Sequence, residues 1–387
     1  GRIHCKAGCD GEENHFGRLV RRMIAIKVNT HFQLITAINL KLTIYKEMQA
    51  DLYLDDTTDF SNILKNLSET KIFRKIYSLN VEAVIQNYFS VSKKENFIYK
   101  ELQVYQSALE NLPYDICIFG LDNVSNKLFY YYLVNNQKIA PDVFVLEEGT
   151  TSLVRNILDC TKNDQINHSL FNDNSFQKHL KGIYLYHPEV YSVNNYGYSI
   201  YEMPKFSRQI VEQLIKVYGV SSVPKEKYIY FEDPVLKGRA PTNDIEVVNF
   251  ISEFVGKENI IIKLHPRTTI DRFSKLGYKV MLQSNYPWEI IALTQNISNK
   301  ILLSSFSTAS YSGKYICNQN QITIFLFQLL NTHDLLYSYP SFKKLVDKLK
   351  LVLNDSNCLM YTPKSMEELS QILLYLRGIG RGNLNHE

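Results

Sequence analysis

The stretch 259–267 joins a run of isoleucines to a cluster of charged side chains. Three consecutive isoleucines are typical of a fully buried parallel strand, and Pro266 blocks ladder pairing beyond it. Lys263, His265 and Arg267 follow that run. In an open α/β sheet, ligands bind beyond the carboxyl ends of the strands. An imidazole between two cations at such a place predicts an anion site, with phosphate as the expected anion, whereas the alternative is a charged surface loop.

Two adjacent carboxylates, Glu147 and Glu148, follow the predicted strand 142–146 and precede a sharp turn at Gly149. Successive residues of a strand point to opposite faces, so the two acids are expected to face in opposite directions. A carboxylate that faces a cleft could act as a general base or bind sugar hydroxyls. The alternative is an acid that interacts with the amino end of the next helix.

A third cluster consists of small hydroxyl side chains that follow the predicted strand 300–303 and open a helix. Its members are Ser304, Ser305, Ser307 and Thr308. Hydroxyls beside the unpaired amides of a helix amino end form an anion site, whereas ordinary N-capping is the alternative. The sequence contains neither GxGxxG nor GxxxxGK[ST], which argues against dinucleotide and P-loop chemistry.

The length, composition and charge of the chain limit which classes of protein and which functions are compatible with these motifs. The chain has 387 residues, of which 45% are hydrophobic and 21% charged, as in a soluble globular protein with two domains. A formal charge of +4 is too small to indicate nucleic-acid binding. The six cysteines form no CxxC pair, which favours a reduced, cytoplasmic protein. No apolar run approaches the roughly 18–20 residues that cross a bilayer.

Strand-like segments alternate with helical ones, which predicts an α/β fold with parallel, doubly wound sheets. The predicted strands are 23–28, 50–54, 75–79, 114–119, 142–146, 182–186, 228–231, 260–263, 300–303 and 321–327. A linker rich in Tyr, Asn and Ser is expected at 191–206. We therefore expect two Rossmann-like domains of the GT-B type, at 23–200 and 201–387, that face a central cleft. Residues 1–22 lack the apolar region of a signal peptide and are expected to be a non-native or disordered leader.

The three motifs occur in the order Glu-Glu-Gly, Lys-Leu-His-Pro-Arg and Ser-Ser-Phe-Ser-Thr-Ala. In that order they resemble the motifs of bacterial sialyltransferases, above all glycosyltransferase family 52, which holds lipooligosaccharide and capsule sialyltransferases. The segment Val-Asn-Thr-His-Phe-Gln-Leu-Ile is similar to that group as well, and the likeness covers residues 23 to about 330. The resemblance implies inverting, metal-independent transfer of sialic acid from CMP-sialic acid to a galactose-terminated capsular or lipooligosaccharide glycan.

The resemblance also implies a role for each motif. His265 would bind the CMP phosphate and assist its departure, and an imidazolium between Lys263 and Arg267 suits that task. Asp244 occupies the place of the base in this family. In related families an acid of the Glu-Glu-Gly motif is the base, so Glu148 stays an alternative.

Further residues are expected at the site. Those expected to bind substrate are Asn29, His31, Glu147, Gly149, Lys263, Pro266, Arg267, Ser304, Ser305, Ser307 and Thr308, the last three on CMP. Asp233, at the end of the predicted strand 228–231, is another candidate base. A second His-Pro pair begins at His187, but it lacks flanking cations and is followed by Glu189, so we expect it to be structural.

No cofactor and no nucleic-acid partner are expected. The partners implied are a nucleotide-sugar donor and a glycan acceptor, with peripheral association at the inner face of the plasma membrane and a homodimer suggested by the family. Two alternative functions stay open, namely a GT-B transferase that uses another nucleotide sugar and a non-catalytic partner in glycan assembly.

Overall fold

The computed structural model describes residues 23–84, 102–120, 124–137, 139–157, 175–194, 196–234, 242–268, 270–281, 286–331, 335–354 and 359–382. The expected leader 1–22 lies outside these ranges. Within them, no helix combines the length and the apolar character needed to cross a bilayer.

The N-terminal half forms one sheet of seven parallel strands. In chain order they are β1 (Met23–Val28), β2 (Gln49–Asp55), β3 (Lys75–Leu79), β4 (Ile116–Phe119), β5 (Asp142–Leu146), β6 (Leu180–Leu185) and β7 (Ser199–Glu202). Their spatial order is β3-β2-β1-β4-β5-β6-β7. The central strands are apolar and buried, because helices cover both faces of a parallel sheet.

The C-terminal half repeats this plan with six parallel strands. They are β8 (Tyr228–Phe231), β9 (Ile260–Lys263), β10 (Lys279–Val280), β11 (Ile301–Ser304), β12 (Ile322–Phe325) and β13 (Leu359–Tyr361). Their spatial order is β10-β9-β8-β11-β12-β13. The strand order therefore reverses between β1 and β4 and again between β8 and β11, and these reversals are where α/β sheets bind ligands.

Helices connect the strands in both halves. They are α1 (His31–Leu42), α2 (Leu64–Glu69), α3 (Gln106–Leu109), α4 (Val124–Asn136), α5 (Thr150–Val154), α6 (Ser175–His179), α7 (Arg208–Tyr218), α8 (Asp244–Val255), α9 (Trp288–Thr294), α10 (Ala309–Cys317), α11 (Ser341–Leu353) and α12 (Met366–Gly382). Two Rossmann-like domains, as expected from the alternation of strands and helices, are thus confirmed.

Two local expectations need correction. The segment predicted as a linker contains β7, which pairs with β6 from Gly182 to Leu185, so the first sheet extends past the expected boundary at 200. The apolar spacing predicts a loop at 29–32 and a helix from Gln33 to Met48. Helix α1 begins two residues earlier, because the Thr30 hydroxyl accepts a hydrogen bond from the Gln33 backbone amide at 3.2 Å and caps the helix. His31 therefore lies in the first turn of a helix and not in a loop.

The two halves share buried apolar surface. The largest hydrophobic cluster contains the first sheet and also aromatic residues of the second half, among them Phe306, Tyr311, Tyr315 and Phe342. Helix α11 is tied to the first half as well, since the Ser341 hydroxyl donates to the Val154 carbonyl at 2.6 Å. An apolar contact of this kind holds the two sheets with their carboxyl ends around one cleft.

Candidate functional site

A cleft of about 640 Å³ lies where the carboxyl ends of strands from both sheets meet. Its walls are formed by the segments that follow β1, β2 and β5 in the first sheet and β8, β9 and β11 in the second. The residues that line it are Asn29, Thr30, His31, Phe32, Thr57, Thr58, Asp59, Glu148, Phe231, Glu232, Lys263, Leu264, His265, Pro266, Arg267, Tyr286, Pro287, Trp288, Glu289, Ser307, Thr308 and Ala309. The three sequence motifs therefore meet at one place.

His265 lies in the turn after β9 with a defined ring geometry. The backbone amide of Arg267 donates to its Nδ1 at 3.1 Å, so a neutral ring carries its proton on Nε2. Among the described residues, no group hydrogen-bonds to Nε2. Glu232 holds the same turn, because its Oε2 accepts from the Thr268 hydroxyl at 2.8 Å and from the His265 amide at 3.4 Å.

Burial, together with the nearby charges of Arg267 and Lys263, lowers the pKa of His265 to about 4. The ring is therefore uncharged at neutral pH in this structure, whereas the role implied by the resemblance is that of an imidazolium. The flanking cations that attract an anion also repel a proton from the ring. A neutral imidazole with Nε2–H facing the cleft is a hydrogen-bond donor without a charge of its own.

Lys263 and Glu289 both line the cleft and are both buried. Burial lowers the pKa of Lys263 to about 8, while the charge of Glu289 raises it in part. Burial also raises the pKa of Glu289. Lys263 therefore stays largely protonated at neutral pH and carries a positive charge where solvent screens it little.

The two adjacent glutamates separate as the strand alternation predicts. Glu148 lines the cleft, and its Oε2 accepts a hydrogen bond from Gln33 Nε2 at 2.6 Å. Glu147 is fully buried away from the cleft lining, where its Oε2 accepts from the Tyr186 amide at 2.8 Å and from the Tyr315 hydroxyl at 3.4 Å. Burial raises the pKa of Glu147 to about 8. Glu147 thus has a structural environment, and Glu148 is the acid that a substrate can reach.

The hydroxyl cluster divides in the same manner. Ser307 and Thr308 line the cleft directly before α10. Ser304 and Ser305 are buried. Ser304 Oγ accepts from the Ser307 amide at 3.0 Å, and Ser305 donates to Asp233 Oδ1 at 2.5 Å. Ser304 and Ser305 therefore shape the turn that carries the two cleft-lining residues, Ser307 and Thr308.

Gly149 lies where the turn that carries Glu148 contacts the turn that carries Ser307 and Thr308. Its φ is +111°, and a Cβ at this position would lie 2.3 Å from Thr308 Oγ1. The Thr150 amide donates to that same oxygen at 3.0 Å. The turn that carries Glu148 and the turn that carries Ser307 are therefore in direct contact between the two domains, which explains why glycine is needed here.

Asp244 is 1% exposed and does not belong to the cleft lining. Both of its oxygens bind Arg272, at 2.9 Å from Nη1 and 2.6 Å from Nη2. The same guanidinium binds Glu232 Oε1 at 2.9 Å. Asp244 thus fixes a guanidinium behind the His265 turn, and the structure does not bring it together with the other expected site residues.

Asn29 and His31 form the opposite wall of the cleft. His31 Nδ1 lies 3.2 Å from the Tyr218 hydroxyl, and its ring contacts that of Phe60 edge-on at 4.7 Å. Burial lowers the pKa of His31 to about 4. His31 is therefore a neutral, well-fixed ring that can contact a substrate but does not supply charge.

Sequence reasoning missed several residues of the site. Glu232, Glu289 and Trp288 line the cleft, and Gln33 holds Glu148 from below. Only the segment that contains Gln33 had a signal, through its resemblance to the sialyltransferases. Among the described residues, no group of three or more His, Cys, Asp or Glu side chains is arranged to hold a metal ion.

Similarity to known proteins lies in the fold. No protein-family model and no curated protein sequence matches this chain. The structure of a putative UDP-N-acetylglucosamine 2-epimerase from Listeria monocytogenes is similar, with a TM-score of 0.51 and 9% identity over 92% of this chain and 88% of that chain. An α/β-galactoside α-2,3-sialyltransferase from Photobacterium phosphoreum gives a TM-score of 0.48 with 12% identity over 88% and 98%. A calicheamicin glycosyltransferase gives 0.48 with 9% identity over 95% of each chain. The two parallel sheets, together with the likeness to the first of these structures, give the chain two Rossmann-like domains around a cleft, as in the GT-B architecture.

Proposed function

We propose that this protein is a glycosyltransferase that moves sialic acid from CMP-sialic acid to a galactose-terminated capsular or lipooligosaccharide glycan, with inversion and without a metal. The observation that carries the proposal is that one cleft holds an anion-binding turn from one sheet and a reachable carboxylate from the other. Glycosyl transfer with inversion needs these two groups on opposite sides of the reacting carbon.

The leaving group is placed at the His265 turn. Nε2–H donates to a phosphate oxygen, and Lys263 and Arg267 supply positive charge beside it. A bound phosphate raises the pKa of the imidazole, because a nearby negative charge favours the protonated ring. The ring can then carry the proton as the bond from the anomeric carbon to the phosphate oxygen breaks. Ser307 and Thr308 offer hydroxyls on the other side of the nucleotide.

The base is placed at Glu148, which takes the proton of the acceptor hydroxyl as that oxygen attacks the anomeric carbon. Asp244, the base that the family resemblance implies, is occupied by Arg272. Asp233 receives the Ser305 hydroxyl and lies outside the cleft lining. We therefore assign the base to the first sheet and the leaving group to the second.

The scheme needs no metal, because Lys263 and Arg267 provide the charge that stabilises the departing phosphate. Lipid-linked acceptors are presented at the inner face of the plasma membrane, and we propose that the protein acts there from the cytoplasm. The likeness to an epimerase of UDP-N-acetylglucosamine makes that nucleotide sugar a necessary control.

The test is incubation with CMP-sialic acid and lactose, with and without EDTA, followed by mass spectrometry of the glycan. We expect sialyl-lactose in both reactions and no product from UDP-N-acetylglucosamine. Turnover of the UDP sugar would point to another nucleotide-sugar enzyme. Binding of CMP-sialic acid without transfer or hydrolysis would indicate a non-catalytic protein.

A further inference from the structure

Gln33 lies in the first turn of α1 and is fully buried, yet both ends of its side-chain amide are used at the cleft. Its Nε2 donates to Glu148 Oε2 at 2.6 Å. Its Oε1 accepts from the backbone amide of Asn29 at 2.8 Å. The first turn of the helix is itself fixed by Thr30, whose hydroxyl accepts a hydrogen bond from the backbone amide of Gln33. The carboxylate of Glu148 is thus connected to the loop after β1 through one side chain.

The end of β4 leaves room for this amide. A Cβ at Gly120 would lie 2.1 Å from Gln33 Nε2 and 2.6 Å from Oε1. Any side chain at position 120 would therefore push the Gln33 amide away from Glu148. Glycine is needed at position 120 because its lack of a side chain leaves space for Gln33, and not because of its backbone conformation.

We propose that Gln33 is the positioning residue of the base, and this inference rests on the proposed function with Glu148 in that role. An amide N–H that donates to a carboxylate stabilises its ionised form and lowers its pKa. The bond also restrains the rotation of the carboxylate where it lines the cleft. Gly120 acts through Gln33, since its lack of a side chain lets the amide reach Glu148.

The experiment measures the pH profile of transfer for Gln33→Met, Gly120→Ala and the double variant. Gln33→Met keeps the length of the side chain without the amide. We expect kcat to fall about 10–100-fold, as for the loss of a hydrogen bond to a charged group, with an unchanged KM for the donor. The acidic limb of kcat/KM should move to higher pH, because the Glu148 carboxylate loses a donor that favours its ionised form.

Gly120→Ala should shift the limb in the same direction although it leaves Gln33 in the chain. The double variant should be no worse than Gln33→Met, since both changes remove one interaction. Gln321→Met is the matched control, because Gln321 is equally buried and lies outside the cleft lining. It should change thermal stability without moving the limb.

The outcomes separate this inference from the function on which it rests. If Glu148→Gln abolishes transfer while Gln33→Met and Gly120→Ala keep the parent limb, the positioning role is overturned and the base assignment stands. If Glu148→Gln keeps parent activity, the base assignment itself fails. If the acidic limb of kcat/KM moves equally in Gln321→Met, the shift follows from the loss of any buried side-chain amide. That result would also overturn the proposal.

Discussion

Two His-Pro pairs follow strands in this protein, one in each sheet, and their surroundings differ completely. The ring of His187, after β6, lies with Nδ1 2.8 Å from Glu189 Oε1 and Nε2 2.8 Å from the carbonyl oxygen of Tyr315. The ring of His265, after β9, receives a backbone amide on Nδ1 and lines the cleft. Both ring nitrogens of His187 contact protein atoms. In His265 only Nδ1 does so among the described residues, so Nε2 can bind a ligand.

The difference shows that a short motif has chemical meaning only through its neighbours. His187 joins the first sheet to α10 through the Tyr315 carbonyl, so it stabilises the contact between the domains. His265 has cations on both sides and an anchored turn beneath it. Substitution of a side chain whose polar atoms all bind other protein groups is expected to change the stability of the fold. Substitution of a side chain that faces the cleft is expected to change the rate of transfer.

The strongest test of this division compares His265→Ala with His187→Ala. We expect His265→Ala to lower kcat by about 10²–10⁴, the usual contribution of a general acid, with an unchanged melting temperature. His187→Ala should keep the parent kcat and lose about 1–3 kcal/mol of unfolding free energy, because the carbonyl of the buried Tyr315 loses its partner. Steady-state kinetics and thermal unfolding on both variants give the answer. A loss of kcat in His187→Ala at unchanged stability would remove the distinction.

Asp244 extends the comparison to the acids, because its carboxylate is bound on both oxygens by Arg272. Asp244→Asn should lower the unfolding free energy by about 3 kcal/mol, since one partner of a buried ion pair is removed. The kcat per folded molecule should stay within a few-fold of the parent. Denaturant unfolding and kinetics at a temperature where the variant is folded measure both. A large fall in kcat with unchanged stability would restore Asp244 as the base.

Two arginines allow the same comparison among cations. Arg267 is exposed at the cleft and, among the described residues, has no carboxylate partner, whereas Arg208 on α7 pairs with Glu212 at 3.0 Å. Arg267→Ala should raise the donor KM about tenfold and weaken the dependence of KM on salt, because one charge–phosphate contact is lost. Arg208→Ala is the control and should leave KM unchanged. Equal effects from both substitutions would indicate only a change in net charge.

The last comparison concerns Glu147, whose pKa burial raises to about 8. The unfolded chain loses this proton near its ordinary pKa of about 4.3, so it binds fewer protons than the folded chain between that pH and about 8. Parent stability should therefore fall as pH rises through this window. Glu147→Gln imitates the protonated form, so its melting temperature should exceed that of the parent increasingly from pH 5 to pH 8.5.

Glu212→Gln is the control for that series, since Glu212 is exposed on α7. It should show no such divergence between pH 5 and pH 8.5. A Glu147→Gln variant whose melting curve runs parallel to that of the parent would mean that Glu147 is ionised in the folded protein at neutral pH.

Much of the fold could be predicted from the sequence because buried parallel strands are continuous apolar runs. The strands Met23–Val28, Lys75–Leu79 and Ile260–Lys263 appear in the structure with the predicted bounds. The three strands that were missed, β7, β10 and β13, are short and pair with one neighbour only. An edge strand of two to four residues is too short to give a recognisable pattern, and its formation depends on the sheet against which it pairs.

The site was predictable where motifs follow strands, because the carboxyl ends of parallel strands meet at one edge. The structure brings together three such residues at the cleft, namely His265, Glu148 and Thr308. Glu289 was not predictable, since it lies in the first turn of α9 and reaches the cleft only through tertiary packing. The protonation of His265 was also beyond the sequence, because burial sets its pKa more strongly than the adjacent charges do.

In our proposal the cleft binds the leaving nucleotide at His265, and titration calorimetry with CMP measures that binding. We expect the parent and His187→Ala to bind CMP with equal affinity and more tightly than UDP. We expect His265→Ala to bind CMP at least about tenfold more weakly, as for loss of a hydrogen bond to a charged group. Equal CMP affinity in all three proteins, or no CMP binding by the parent, would contradict it.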